Sequence, residues 1–88
     1  MTFKIERSSA GGGWVVRLIG FVRSEHLEEI SRELHLCGPG AALDLEAVTV
    51  LGVEVVRFLS ERERQGTRLL QCPAFVREWI RREAAKGP

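Results

Sequence analysis

Short apolar runs alternate with amphipathic helical patterns along most of the chain, and this alternation restricts the possible folds more than any other feature. "AALDL" at 41–45 and "TRLL" at 67–70 are flanked by turn residues, as buried strands are. From 24 to 37, from 54 to 65 and from 73 onwards, apolar residues recur at three- and four-residue spacing. Such a succession requires right-handed crossovers and parallel strand pairing.

The first twenty residues add an antiparallel component. "TFKIER" at 2–7 and "WVVRLIG" at 14–20 alternate in character, with Trp14, Val16 and Leu18 on one face, and "SSAGGG" lies between them. The sequence therefore predicts an α/β fold, a four-stranded mixed sheet with three helices packed against it. We expect one domain over 1–88, with 84–88 frayed at the end of the last helix.

The predicted helices have recognisable ends. Ser24 is placed to cap the first helix, which "CGPG" at 37–40 terminates. "VTVLGVEVVRFL" at 48–59 begins like a buried strand and ends like an amphipathic helix, with the change at Gly52 and Glu54. The second helix is therefore expected to start near Glu54, and Gly66 ends it. Pro73 suits the first position of the third helix.

Composition argues against several classes of partner. The formal net charge is +1, which gives no strong field for nucleic acid or anionic lipid. No apolar run is long enough to span a bilayer and no secretory segment is visible, so we expect a cytoplasmic protein without membrane insertion. Cys37 and Cys72 are interpreted as small, buried, reduced side chains. We expect no metal, because the cysteines and histidines lack zinc-finger spacing, and no cofactor.

Candidate groups for catalysis do not form a set of nucleophile, base and orienting residue. Ser8, Ser9, His26 and His35 are scattered, and Asp44 lies in a short apolar strand where a structural hydrogen bond is the simpler role. We therefore expect no enzyme activity. The last helix carries several basic residues, but Trp79 follows its apolar period and indicates core packing instead of a base-stacking platform.

The succession of elements, together with "LDLEAVTVLGVEVVRFL" at 43–59, resembles the STAS domain of bacterial anti-sigma-factor antagonists and sulfate transporters. "VVRLIGFVRSEHLEEI" at 15–30 is similar to the family's second strand and the entry to its first helix, so the resemblance covers roughly the whole chain. Asp44, Leu45, Val48 and Thr49 keep the first half of the family pattern around the third strand.

The second half of that pattern differs. Aligned without gaps, the family's Asp falls on Gly52, its two hydroxyl residues on Val53 and Glu54, and the following Gly on Val55. In antagonist members the second hydroxyl is phosphorylated by the partner kinase, and the phosphate breaks the complex. Glu54 cannot accept that phosphate, so the resemblance implies an antagonist-like protein without phosphorylation control at this position.

Two interpretations of Glu54 remain open. It either imitates the phosphorylated state permanently or is an ordinary acid in the first turn of a helix, where an anion gains about 0.3–1 kcal/mol. Thr49 is an alternative phosphate acceptor, or else a hydroxyl that bonds to backbone in the strand-to-helix loop.

The functional prediction is a signalling module for protein–protein interaction. Its contact surface is the loop 46–53 and the start of the following helix, since such folds place function on loops at the carboxyl ends of parallel strands. For Val50 and Leu51 the alternative is a place in the core. The resemblance implies an anti-sigma factor or kinase-like partner, or alternatively the role of a small STAS subunit in a bacterial ABC lipid-transport complex. The predicted partner-binding residues are Glu46, Thr49, Val50, Leu51, Gly52, Val53, Glu54 and Arg57.

Overall fold

A computed structural model describes residues 2–86 and shows a mixed β-sheet with helices packed against it. Over these residues the sheet has five strands, one more than predicted, and three α-helices accompany it. The strands are β1 (Phe3–Ala10), β2 (Gly13–Val22), β3 (Ala42–Asp44), β4 (Val48–Leu51) and β5 (Leu69–Leu70). The helices are α1 (Leu27–Cys37), α2 (Val53–Arg64) and α3 (Ala74–Ala85).

Strand β2 organises the sheet. It pairs antiparallel with β1, from Phe3 opposite Gly20 to Ser9 opposite Trp14, which confirms the predicted hairpin. Its other edge pairs in parallel with β3 and, further along, with β4, while β3 pairs in parallel with β5. The order across the sheet is thus β1-β2-β3-β5, and β4 continues the β3 position along β2.

The additional strand arises from a bend after β3. The Asp44 carboxylate accepts a hydrogen bond from the Glu46 amide at 2.9 Å, and the Val48 amide donates to the Leu45 carbonyl at 3.1 Å. This turn shifts the chain before it resumes pairing with β2. Residues 42–51 therefore form two short strands, whereas the sequence predicted one at 41–45. The structural hydrogen-bonding role expected for Asp44 is confirmed.

One hydrophobic cluster joins the sheet to all three helices. The completely buried side chains include Val16 and Leu18 of β2, and Ile30, Leu59 and Val76 supply the helical side. Trp79 packs partly buried against this cluster, as its period predicted. Trp14 shares the face of Val16 and Leu18 but is 44% exposed, because it lies at the outer end of the hairpin.

Helix boundaries agree with the sequence except at the first helix. Ser24 does not cap α1; it begins a short 3-10 turn, Ser24–His26, and the α-helix starts only at Leu27. The Arg23 amide donates to His26 Nδ1 at 3.0 Å, which stabilises this turn in place of a serine cap. Pro73 is the N-cap of α3, one residue before the first helical position predicted for it, and the helix continues from Ala74 through Ala85. Residues 87 and 88, also expected to fray, lie outside the described residues.

Candidate functional site

The junction of β4 and α2 has the geometry that the sequence predicted. Gly52 is extended (φ −88°, ψ 162°); its amide donates to the Val22 carbonyl, and its own carbonyl accepts from the amides of Val55 and Val56. The helix begins at Val53, directly after the strand. The predicted change from strand to helix at this point is therefore confirmed.

Glu54 lies in the first turn of α2 with its side chain exposed. Its Oε1 approaches Gly52, where an added Cβ would lie 3.7 Å away, so the side chain folds back over the start of the helix. No side chain caps this helix end, and within 2–86 no ion pair engages Glu54. The carboxylate thus provides the acidic charge beside the positive end of the helix dipole while remaining accessible from outside.

The remaining predicted site residues differ in exposure. Thr49 is exposed, and it falls at an irregularity where Gly20 is paired with Val48 but Phe21 with Val50. Val50 and Val53 are half-buried. Leu51 is only 5% exposed and belongs to the core, so the core alternative holds for Leu51 and not for Val50.

Two charged members of the predicted site form ion pairs within the chain. Arg57 Nε lies 3.0 Å from Glu83 Oε1 of α3, although 63% of the Arg57 side chain is exposed. Hydrogen bonds from Arg57 and Lys86 lower the pKa of Glu83. Glu46 lies 3.7 Å from Arg17, which also approaches Asp44 at 4.0 Å. Both charges are partly neutralised. Arg57 lies one turn along α2 from Glu54, whereas Glu46 lies at the turn between β3 and β4, at the opposite end of β4 from Gly52, so the structure does not bring it to the start of α2.

The basic residues of α3 are also paired with acids. Arg77 contacts Glu63 at 2.8 Å, Arg81 and Arg82 both contact Glu78, and Lys86 contacts Glu83. The local positive charge seen in the sequence is thus largely offset. Beside Arg77, burial raises the pKa of the Cys72 thiol, an effect that the guanidinium opposes.

Two features near the site were missed from sequence. The ring of His26 stacks on Phe3 with centroids 3.9 Å apart. Arg23 lies over the Phe21 ring at 5.2 Å. The His26 contact joins residues far apart in the sequence, so no local periodicity indicates it.

Comparison of the chain with protein-family models and with curated proteins finds no match. Over the described part of the chain, no helix is both long enough and apolar enough to cross a bilayer. Within the same residues, acidic, histidine and cysteine side chains form no group of three or more suited to a metal ion.

Proposed function

We propose that this chain is a non-catalytic, cytoplasmic module that binds another protein through the surface at the start of α2. This β4–α2 surface consists of Thr49, Val50, Gly52, Val53 and Glu54, with Arg57 one turn further along α2. The observation that carries the proposal is the exposed Glu54 carboxylate, which no ion pair within 2–86 engages, beside two half-buried valines. Protein interfaces place apolar side chains at their centre and polar groups at their rim, and the two valines and Glu54 suit these two places.

The position of this surface supports the proposal. Strands β2 and β4 run parallel, and each ends where a helical segment begins, so the surface lies at the carboxyl ends of parallel strands. Side chains there are held by the sheet, while the loops remain free to contact a partner. Because Gly52 and Val53 are fixed by backbone hydrogen bonds at the helix start, binding needs little ordering of the chain.

We further propose that the module is a STAS-like domain of the anti-sigma-factor-antagonist type. Support comes from the initial hairpin, the parallel strands that follow it, and the passage from β4 directly into α2 at the family's phosphorylation position. Glu54 has no hydroxyl, so the interaction is not switched off by phosphorylation there. Addition of a cognate kinase and ATP should leave 49–60 without stoichiometric phosphate, and a phosphate on Thr49 or Ser60 would contradict this proposal.

The test compares two exposed glutamates in the first turns of different helices. Glu54 is the second residue of α2 and Glu29 the third residue of α1. Reversal to arginine at either site places a cation in a first helical turn, where it is unfavourable. In affinity capture from the source cell, Glu54→Arg should lose the partner and Glu29→Arg should keep it. Equal capture by both variants would refute the β4–α2 surface.

The captured protein also decides between the two branches of the resemblance. Recovery of a histidine-kinase-like ATPase or anti-sigma factor supports the signalling role. Recovery of ABC-transporter subunits instead assigns the chain to a transport complex.

Substitution of Glu54 by serine and by glutamine then separates the two interpretations of the acid. If Glu54 imitates a phosphate, loss of its charge should change partner binding. If it is only a helix-stabilising acid, the same substitutions should lower the stability of the fold and leave partner binding unchanged.

A further inference from the structure

A groove of about 650 Å³ lies between the outer part of α1 and the far end of α2. We call this the α1–α2 groove; it is lined by α1 from Glu28 to His35, by Gly38 and Pro39, and by Arg62. Glu54 and Arg62 are eight residues apart on α2, which places the groove about 12 Å along the helix from the β4–α2 surface.

Arg62 differs from the other arginines of the chain. Nine of the eleven arginines lie within 4.0 Å of a carboxylate. Arg62 and Arg68 have no such neighbour among residues 2–86, and only Arg62 is partly buried. Its position explains the burial, since Arg62 continues the apolar stripe of Val55 and Leu59 at helical spacing.

The guanidinium of Arg62 forms no ion pair within the described residues, although part of it is buried. Its Nε is buried and has no hydrogen-bond acceptor within the described part of the chain. The two terminal nitrogens are not among the buried atoms that lack a partner, and Arg62 lines the groove. Burial of Nε restricts the side chain before any ligand arrives, which reduces the entropy lost on binding. Arg62 and Arg64 both lie in the last turn of α2, where a cation also interacts favourably with the helix dipole, but of the two only Arg62 lines the groove.

The other walls indicate what fits beside this cation. Leu34 is 2% exposed at the base of the groove, and Pro39 adds apolar surface. Arg32 lies on the α1 wall but is paired with Glu28 at 3.4 Å, so its charge is offset. The groove therefore combines apolar contact with one unpaired guanidinium, and a carboxylate can accept two parallel hydrogen bonds from such a group.

We infer that the α1–α2 groove binds a segment of a partner polypeptide that carries an acidic side chain beside an apolar one. Charge complementarity assigns the carboxylate to the terminal nitrogens of Arg62, and the apolar side chain lies against Leu34 and Pro39. This inference does not depend on the proposed function at Glu54, because the two surfaces lie at opposite ends of α2.

The test uses two dipeptides that differ only in charge. Acetyl-Leu-Glu-amide and acetyl-Leu-Gln-amide are titrated at millimolar concentration into the ¹⁵N-labelled protein, and the Arg62 Nε–H and Gly38 amide signals are followed by NMR. The glutamate peptide should shift both signals and bind at least five-fold more tightly than the glutamine peptide. Equal binding of the two peptides, or no shift at Arg62, would overturn the inference.

Two further arms identify the site and the ligand. Arg62→Gln should abolish the preference for the glutamate peptide, whereas Arg68→Gln, which removes the exposed unpaired arginine, should leave it unchanged. Inorganic phosphate should bind more weakly than the glutamate peptide, and equal or tighter binding of phosphate would show a site for small anions instead of a polypeptide. If Arg62→Gln does not fold, the peptide comparison on the unmodified protein still decides the outcome.

Discussion

Gly20 is the position at which a single added methyl group should damage the fold most. Its φ is +91°, and a Cβ there would lie 2.1 Å from the Thr2 carbonyl oxygen, far inside the contact range that begins at 3.4 Å. That carbonyl accepts a hydrogen bond from the Phe21 amide at 3.1 Å, while the Gly20 amide donates to the Ala47 carbonyl. The start of β1, the last part of β2 and the turn before β4 therefore all meet at this glycine.

The expected cost of Gly20→Ala has three parts. Positive φ costs a residue with a Cβ about 1–2 kcal/mol. The overlap is with backbone, so the Thr2 carbonyl must move, and loss of its hydrogen bond adds about 0.5–1.5 kcal/mol. With some strain in the surrounding strands, we expect the free energy of unfolding to fall by about 2–4 kcal/mol, a large part of the roughly 5–15 kcal/mol typical of a domain.

Gly12→Ala is the matched control. Gly12 lies in the hairpin turn with φ +86°, but nothing lies within 4 Å of an added Cβ. This variant should therefore lose only the conformational part, about 1–2 kcal/mol. Urea unfolding followed by circular dichroism gives both values, and at about 4–8 °C per kcal/mol thermal midpoints should differ measurably between the variants. Equal destabilisation of the two would refute the steric argument at Gly20.

Three other predictions follow from the described contacts. Leu51→Ala should lower the free energy of unfolding by about 2–5 kcal/mol, whereas Val50→Ala, at a half-buried position, should cost clearly less in the same urea assay. Hydrogen bonds hold the pKa of Glu83 below its ordinary value, so the contribution of this carboxylate to stability is present above about pH 4.3 and is lost as the pH falls through the lowered pKa. The difference in unfolding free energy between the unmodified protein and Glu83→Gln should therefore shrink in acid. A difference that grows in acid would contradict the assignment. Burial raises the pKa of Cys72, so its alkylation by iodoacetamide near pH 7 should be slower than that of an unstructured cysteine peptide, and an equal rate would contradict that effect.

Much of the fold could be predicted because its signals are local. The alternation in β1 and β2 is a pattern of period two within a few residues, and the strand-to-helix change at Gly52 is visible in the side chains on either side of it. The split between β3 and β4 was not predicted, because it depends on how the Asp44 carboxylate turns the chain against β2. A periodic pattern reports which face is buried, not where a strand stops pairing.

The site was less predictable than the fold, since exposure depends on distant neighbours. Val50 and Leu51 are adjacent apolar residues, yet one is half-buried and the other lies in the core. Local sequence does not indicate the ion pair of Arg57, because its partner Glu83 is 26 residues further along the chain and only the packing of α3 brings it to within 3.0 Å. Arg62 carried a sequence signal that was not used: it continues the apolar stripe of Val55 and Leu59 at helical spacing. A long cationic side chain at such a position packs its aliphatic part against the core, and Arg62 is partly buried.

The absence of a capping side chain gives Glu54 its particular importance. An Asp at position 52, as the resemblance would lead one to expect, could bond to the free amides of the helix start, but Gly52 leaves those amides without a side-chain acceptor. The acidic side chain stands instead at position 54, two residues further along, where it interacts with the helix dipole and is exposed. If the proposed function is correct, its partner meets a fixed negative charge beside backbone amides at this end, and no modification of residue 54 is needed to create that charge. The affinity of the proposed β4–α2 surface is then set by the composition of the helix start and is constant in time, in contrast to a surface whose charge depends on a kinase.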